Sequence, residues 1–161
     1  MLRIALFTIL LIGSSGYALW RGGAPERIVA LALLGAFAAT LLSYTALAQR
    51  FTSVEYGILV VDIILMAVLA GVALLADRGW PLLLAGLHLS TLGAHAVKLF
   101  EPGMIRVTYA VMIAFWSYPM LIGLAIGTRR HRQRIRTSGV DRDWSAGSLR
   151  TPVSNARSPG S

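Results

Sequence analysis

Apolar and polar positions alternate along this chain in long blocks, not at the short periods of a soluble domain. Apolar stretches cover residues 4–20, 28–48, 56–76, 80–100 and 105–128. A helix rises about 1.5 Å per residue, so a hydrocarbon core about 30 Å thick needs about 20 apolar residues to cross. Each block meets that length. The pattern predicts an all-α membrane protein, a five-span transmembrane helix bundle over residues 1–128, followed by a basic, largely disordered tail over 129–161.

The joints between blocks are short and carry turn chemistry. Arg21-Gly22-Gly23-Ala24-Pro25-Glu26-Arg27 reads as a turn by its glycines and proline, and residues 49–55, 77–79 and 101–103 read as three more. Pro81 stands near a helix start, where its missing N–H costs nothing. Connections this short make consecutive helices antiparallel neighbours.

Composition sharpens this picture. The chain is 56% hydrophobic and 14% charged, against about 25% charged for a soluble domain. It has no cysteine, which excludes disulfides, thiolate metal sites and cysteine nucleophiles. Residues 1–128 hold seven Lys/Arg and five Asp/Glu, a balance of +2, whereas residues 129–161 hold eight Arg and two Asp, a balance of +6. The basic character is a property of the tail, so nucleic-acid binding is a weak reading of the net charge. Arg129, Arg130, Arg132, Arg134 and Arg136 are expected to sit on anionic lipid headgroups. Segments beyond residue 137 have too few apolar side chains to offset their ordering entropy.

Charge also sets the expected orientation. Lys and Arg in short loops favour the cytoplasmic side. With the tail inside, the Arg21/Arg27 and Arg78 joints are cytoplasmic, while Arg3, Arg50, Lys98 and Arg106 lie outside, which requires five spans and an external N-terminus. The expected location is a cell membrane, on composition a bacterial inner membrane. Residues 1–18 also resemble a signal peptide, with Arg3 before an apolar run and small residues at Gly16 and Ala18. Cleavage would leave four spans and place the basic run on the wrong side.

The fourth block carries the chemistry. His88, Thr91, His95 and Lys98 share one helical face, and Gly86, Ser90 and Gly93 share the opposite one. Ionisable side chains inside a membrane turn to the bundle interior or to a wet cavity, and small residues admit close helix packing. The third block holds Glu55 and Asp62, seven apart on one face. Counting residues from the helix ends puts Asp62 level with His95, its expected partner, and Glu55 level with Lys98 and Arg106. Such a pair serves either as a structural hydrogen bond or as a proton-linked site.

Two histidines seven apart on one helix lie about 10 Å apart along the axis and cannot clamp one iron. Haem would need a methionine or a second subunit, and a metal site of His88, His95 and Asp62 has the same spacing problem. In the fifth block, Pro119 predicts a kink that frees the Phe115 carbonyl, and Gly123 and Gly127 form a short G-x-x-x-G contact pattern. Trp20, Trp80, Tyr17 and Phe100 read as interfacial residues.

No constellation of paired acids, Ser/His sets or metal-spaced ligands points to an enzyme. The expected function is that of an accessory or scaffold subunit of a membrane complex. The alternative is a small oligomeric transporter or proton-coupled permease using Asp62 and His95. A haem- or quinone-associated redox subunit is the third reading. The expected partners are the bilayer, anionic headgroups and further copies or other membrane subunits.

Overall fold

A computed structural model describes residues 2–42, 56–76, 78–101, 103, 105–139 and 144. Among them the chain is helical: α1 (Leu2–Arg21), α2 (Ala24–Leu42), α3 (Tyr56–Leu75), α4 (Trp80–Phe100), α5 (Arg106–Phe115) and α6 (Ser117–Ser138). Five spans are long and apolar enough to cross a membrane, with α5 and α6 together forming the fifth. Exposed Ile9, Leu31, Leu74, Leu82 and Phe100 give the bundle an apolar outer surface, which lipid tolerates and water does not.

The helix ends follow local chemistry. Between α1 and α2 the expected seven-residue turn shrinks to Gly22 and Gly23. Ala24, Pro25 and Glu26 already form the first turn of α2. Glu26 stands three residues past Gly23, and its Oε2 accepts the Gly23 N–H at 3.1 Å, the acidic half of a capping box. Gly22 fits only as glycine, because a Cβ there would lie 2.5 Å from the Ala18 carbonyl oxygen. At the far end of α2 the described helix stops at Leu42; expected helical residues 43–48 and the joint 49–55, including Glu55 and Arg50, lie outside the described residues.

The fifth span divides at Trp116, three residues before Pro119, into α5 and α6. Pro119 has no N–H to give the Phe115 carbonyl, so the break falls where the kink is expected. Past the break, α6 does not stop at the expected boundary of 128. It continues through the arginine run to Ser138, because Arg and Gln are good helix formers. It ends at Gly139, whose φ of 71° and N–H bond to the Ile135 carbonyl make a left-handed cap. Trp144 then pairs with Ala76 in an isolated antiparallel bridge and packs, half-buried, on the core. The expectation that nothing beyond residue 137 packs therefore needs correction at Trp144. Residues 140–143 and 145–161, most of the expected disordered tail, lie outside the described residues.

Consecutive helices are neighbours, as short connections require, and α6 packs on both α1 and α4 to close a ring. The most central helix is α4: 39% of its apolar window is buried, against 22% in each of the other spans. Its inward face presents Leu84, Ala85, His88, Thr91, Ala94, His95 and Lys98. The interior forms three layers along the bundle axis. Polar side chains occupy the end that carries Lys98, and others occupy the end that carries Arg78. Leu11, Leu65, Leu69, Leu84, Leu121 and Leu124 fill the middle.

Gly123 and Gly127 bring α6 close to α4. A Cβ at Gly127 would stand 2.8 Å from the Trp80 ring, and one at Gly123 would stand 2.6 Å from Leu84 Cδ1. Trp80 is therefore buried under α6 instead of lying at the interface, because only a glycine opposite leaves room for an indole. Gly86 and Gly93 have nothing within 4 Å of a Cβ. They face out of the bundle, opposite the polar face of α4, and do not pack within it. This contrast makes a prediction. Gly127→Ala should cost about 1–3 kcal/mol as an overpacking change against a rigid ring, seen as a lower melting point in detergent. Gly86→Ala should be neutral or gain up to about 1 kcal/mol from helix propensity.

Candidate functional site

Asp62 lies six residues into α3, on the face that meets α4. His95 lies five residues before the end of α4, which runs the other way, so the two meet at one depth. His95 Nε2 is 2.9 Å from Asp62 Oδ2. The His95 Nδ1 is in turn 2.7 Å from the Tyr109 hydroxyl of α5, and the two rings are edge-to-face. His95 and Tyr109 are fully buried. Lys98 Nζ lies 5.9 Å from the centre of the Tyr109 ring, with its stem buried along α4.

Two turns away along α4, His88 Nε2 donates to the backbone carbonyl of Asp62 at 2.9 Å. Its distance to Asp62 Oδ1 is 3.9 Å, too long for a hydrogen bond. Thr91 is buried between the two histidines on the same face. Thus α4 grips one residue of α3 twice, by its side chain through His95 and by its backbone through His88.

The chain Asp62–His95–Tyr109 can place its protons in two ways. A carboxylate only accepts, so an ionised Asp62 takes the His95 Nε2–H, and Nδ1 accepts from the Tyr109 hydroxyl. With the proton on Asp62, the carboxyl donates to Nε2, and the Nδ1–H donates to the Tyr109 oxygen. The second arrangement holds one proton more than the first: passing to it moves the Nε2 proton to Asp62, places the incoming proton on Nδ1 and rotates the Tyr109 hydroxyl.

Asp62 and His88 border a cavity of 540 Å³ that extends toward the Lys98 end. Its walls are mostly apolar, from Leu11 and Phe7 of α1, Leu33 and Phe37 of α2, Leu65 of α3 and Met120 of α6. The Phe7 ring lies 5.7 Å from Phe37 and 5.8 Å from Tyr118. Arg3 also lines the cavity, and its backbone carbonyl accepts the Tyr118 hydroxyl at 3.3 Å. The volume lies within the range of about 300–1,000 Å³ typical of small-molecule sites.

A second polar cluster closes the opposite end. Arg78 donates to Glu26 Oε1 through one terminal nitrogen and lies 3.0 Å from His131 Nδ1 through the other. The Glu26 and Arg78 side chains are both fully buried, and Thr128 and His131 are buried beside them. An arginine only donates, so His131 accepts at Nδ1. The cluster joins α2, the α3–α4 connection and α6.

Of the site residues expected from sequence, the structure brings Asp62, His88, Thr91, His95 and Lys98 to one end of the bundle interior. Ser90 is half-buried. Arg129, Arg130 and Arg136 are exposed, and Arg132 and Arg134 are half-buried, all on one helical extension. Among the described residues, no three His, Asp or Glu side chains come together as a metal site. Tyr109 was within reach of sequence: it stands four residues into the fifth block, at the depth of His95. Glu26 and His131 were not, because one reads as part of a turn and the other as part of a tail. Compared with known proteins, the chain matches no family model, no curated protein and no solved structure.

The buried Glu26–Arg78 pair makes a double-mutant prediction. Arg78→Leu alone leaves the Glu26 carboxylate buried without its cation and should cost about 3–5 kcal/mol. Glu26→Leu with Arg78→Leu should cost clearly less than the sum of the single changes. Melting curves of the four proteins in one detergent give the comparison, and strict additivity would show that the pair does not interact.

Proposed function

We propose that this is a multi-pass membrane protein that holds a lipophilic small molecule in the cavity at its Lys98 end and exchanges a proton with it through Asp62 and His95. The observation that carries this reading is the junction of two features at one residue. Asp62 both borders an apolar cavity of small-molecule size and begins a buried hydrogen-bonded chain through His95 to Tyr109. Apolar walls bind a lipophilic molecule, a few polar groups orient its head, and the chain takes up or returns a proton.

The relay and the cavity share one end of the bundle. Beyond the cavity, Leu69, Leu84 and Leu124 and the Glu26–Arg78–His131 cluster stand between it and the other end. That arrangement favours proton exchange with one side of the membrane over a path across it, so the permease reading is the weaker one. The reading of an accessory subunit keeps one specific support. Gly86 and Gly93 of α4 face out of the bundle with half-buried Ser90 between them, and among the described residues no other helix lies within 4 Å of a Cβ at either glycine. A helix of another membrane protein can approach closely there.

Exposed Arg21, Arg27, Arg129, Arg130 and Arg136 gather at the Arg78 end, which supports a cytoplasmic C-terminus, contact with anionic headgroups and a cavity facing outward. A reporter active only outside the cytoplasm should be silent when fused after residue 136 and active after residue 102; activity at 136 would invert the orientation.

Native mass spectrometry tests the ligand reading. Protein extracted in mild detergent should carry a non-covalent lipophilic small molecule that denaturation releases, with an absorbance scan to reveal any chromophore. Ala114→Trp, which fills the cavity from α5, should remove that molecule while the protein stays monodisperse. A wild-type protein without the adduct, or a variant that retains it, would sink the proposal.

A further inference from the structure

The hydrogen-bond bookkeeping around Asp62 identifies the chemistry of the head group that the cavity takes. Asp62 Oδ2 is occupied by His95, whereas Oδ1 has no donor within hydrogen-bond distance among the described residues; the nearest, His88 Nε2, is 3.9 Å away. His88 Nε2 carries its hydrogen, because it donates to the Asp62 carbonyl. In the neutral ring His88 Nδ1 is then a bare lone pair. Both residues border the cavity, and the His88 side chain is 4% exposed. The polar floor of the cavity is therefore acceptor-rich. A molecule that offers only acceptors would leave these lone pairs desolvated and unmatched, while a molecule with hydroxyl or ammonium hydrogens satisfies them.

Charge separates those two donors. Arg3 lines the same cavity and Lys98 stands behind Tyr109, so a cationic head would enter past a like charge. A neutral hydroxyl does not. The walls then narrow the class further. Phe7, Phe37 and Tyr118 set three rings edge-on or tilted to one another beside the cavity, a surface that favours a flat aromatic head over a sugar or a phosphate.

We infer that the cavity binds a hydroquinone-headed lipid, with the ring among Phe7, Phe37 and Tyr118 and a ring hydroxyl donating to Asp62 Oδ1 or His88 Nδ1. The inference rests on the reading of this cavity as a ligand site and adds the substrate class. A hydroxyl that donates to Asp62 joins the chain to His95 and Tyr109, so its proton has an acceptor in place. The oxidised quinone carries carbonyl oxygens in those positions and meets lone pair with lone pair, so the site discriminates in favour of the reduced form. Binding and proton sharing involve no electron transfer.

The test uses the full-length protein in nanodiscs of zwitterionic phospholipid, titrated anaerobically by calorimetry. The probes are a short-chain isoprenoid hydroquinone, the matching quinone, the dimethyl ether of the hydroquinone and a lipophilic primary amine. The hydroquinone should saturate one site, with the quinone and the ether weaker by at least about tenfold, the loss of one good hydrogen bond. His88→Phe should weaken hydroquinone binding by about the same factor, and His88→Gln, which keeps an acceptor, should recover most of it. Equal affinity for the quinone or the ether would overturn the inference, as would tighter binding of the amine or no saturable binding of the hydroquinone. If the hydroquinone fails while native mass spectrometry still finds a small molecule that Ala114→Trp removes, the substrate class is wrong and the ligand site stands. If both fail, the cavity is not a ligand site.

Discussion

The contact between Asp62 and His95 is the constraint from which the Lys98 end of the bundle takes its form. A carboxyl group in a span with a lipid-compatible surface costs at least about 3 kcal/mol on insertion scales unless it is partnered or protonated. His95 supplies the partner from the neighbouring antiparallel helix. Because His88 holds the backbone of the same residue, α3 cannot slide along α4 by one helical turn, about 5.4 Å, without breaking both bonds. The register so set brings the fourth and fifth spans together at Tyr109, and it places Asp62 at the border of the cavity.

At the opposite end, a fully buried ion pair performs a similar mechanical task with different chemistry. Glu26 completes the start of α2 through the Gly23 N–H and binds Arg78. Arg78 reaches on to His131. A buried pair of this kind adds little net stability over apolar side chains of equal volume, but it penalises arrangements in which the partners miss each other. Three segments far apart in sequence thus have one permitted meeting point. Between the two polar clusters the interior is built mainly from leucine, valine, alanine and methionine side chains, and each cluster fixes its own end.

Much of this was legible from residue order. The five blocks, the short joints, the break ahead of Pro119 and the shared depth of Asp62 and His95 all follow from helix length and period, which are local properties. Tyr109 was legible by the same depth argument. The Glu26–Arg78–His131 cluster was not, since helix period says nothing about a side chain at a joint. Its formation depends on α6 continuing ten residues past the apolar block and turning His131 inward. The outward facing of Gly86 and Gly93 follows from the same period, since they stand opposite the polar face that turns inward. Trp80 misleads because tryptophan suits an interface, but a glycine opposite it draws it into the core, whereas Trp144 stands in a tail whose composition gives no sign of packing.

The closure of the ring by α1 against α6 has a bearing on biogenesis. Helices enter a membrane in the order of synthesis, and neighbours in sequence can pair as they emerge. The contact between α1 and α6 spans nearly the whole bundle and cannot form until the fifth span has left the ribosome. Until then the inner faces of Leu11, Ser14 and Ala18 have only α2 for company, and the cavity lacks its α6 wall. The site is therefore a product of the final docking event and not of any helix pair, so a nascent chain arrested after α4 would hold Asp62 and His95 in register around a pocket that does not yet exist.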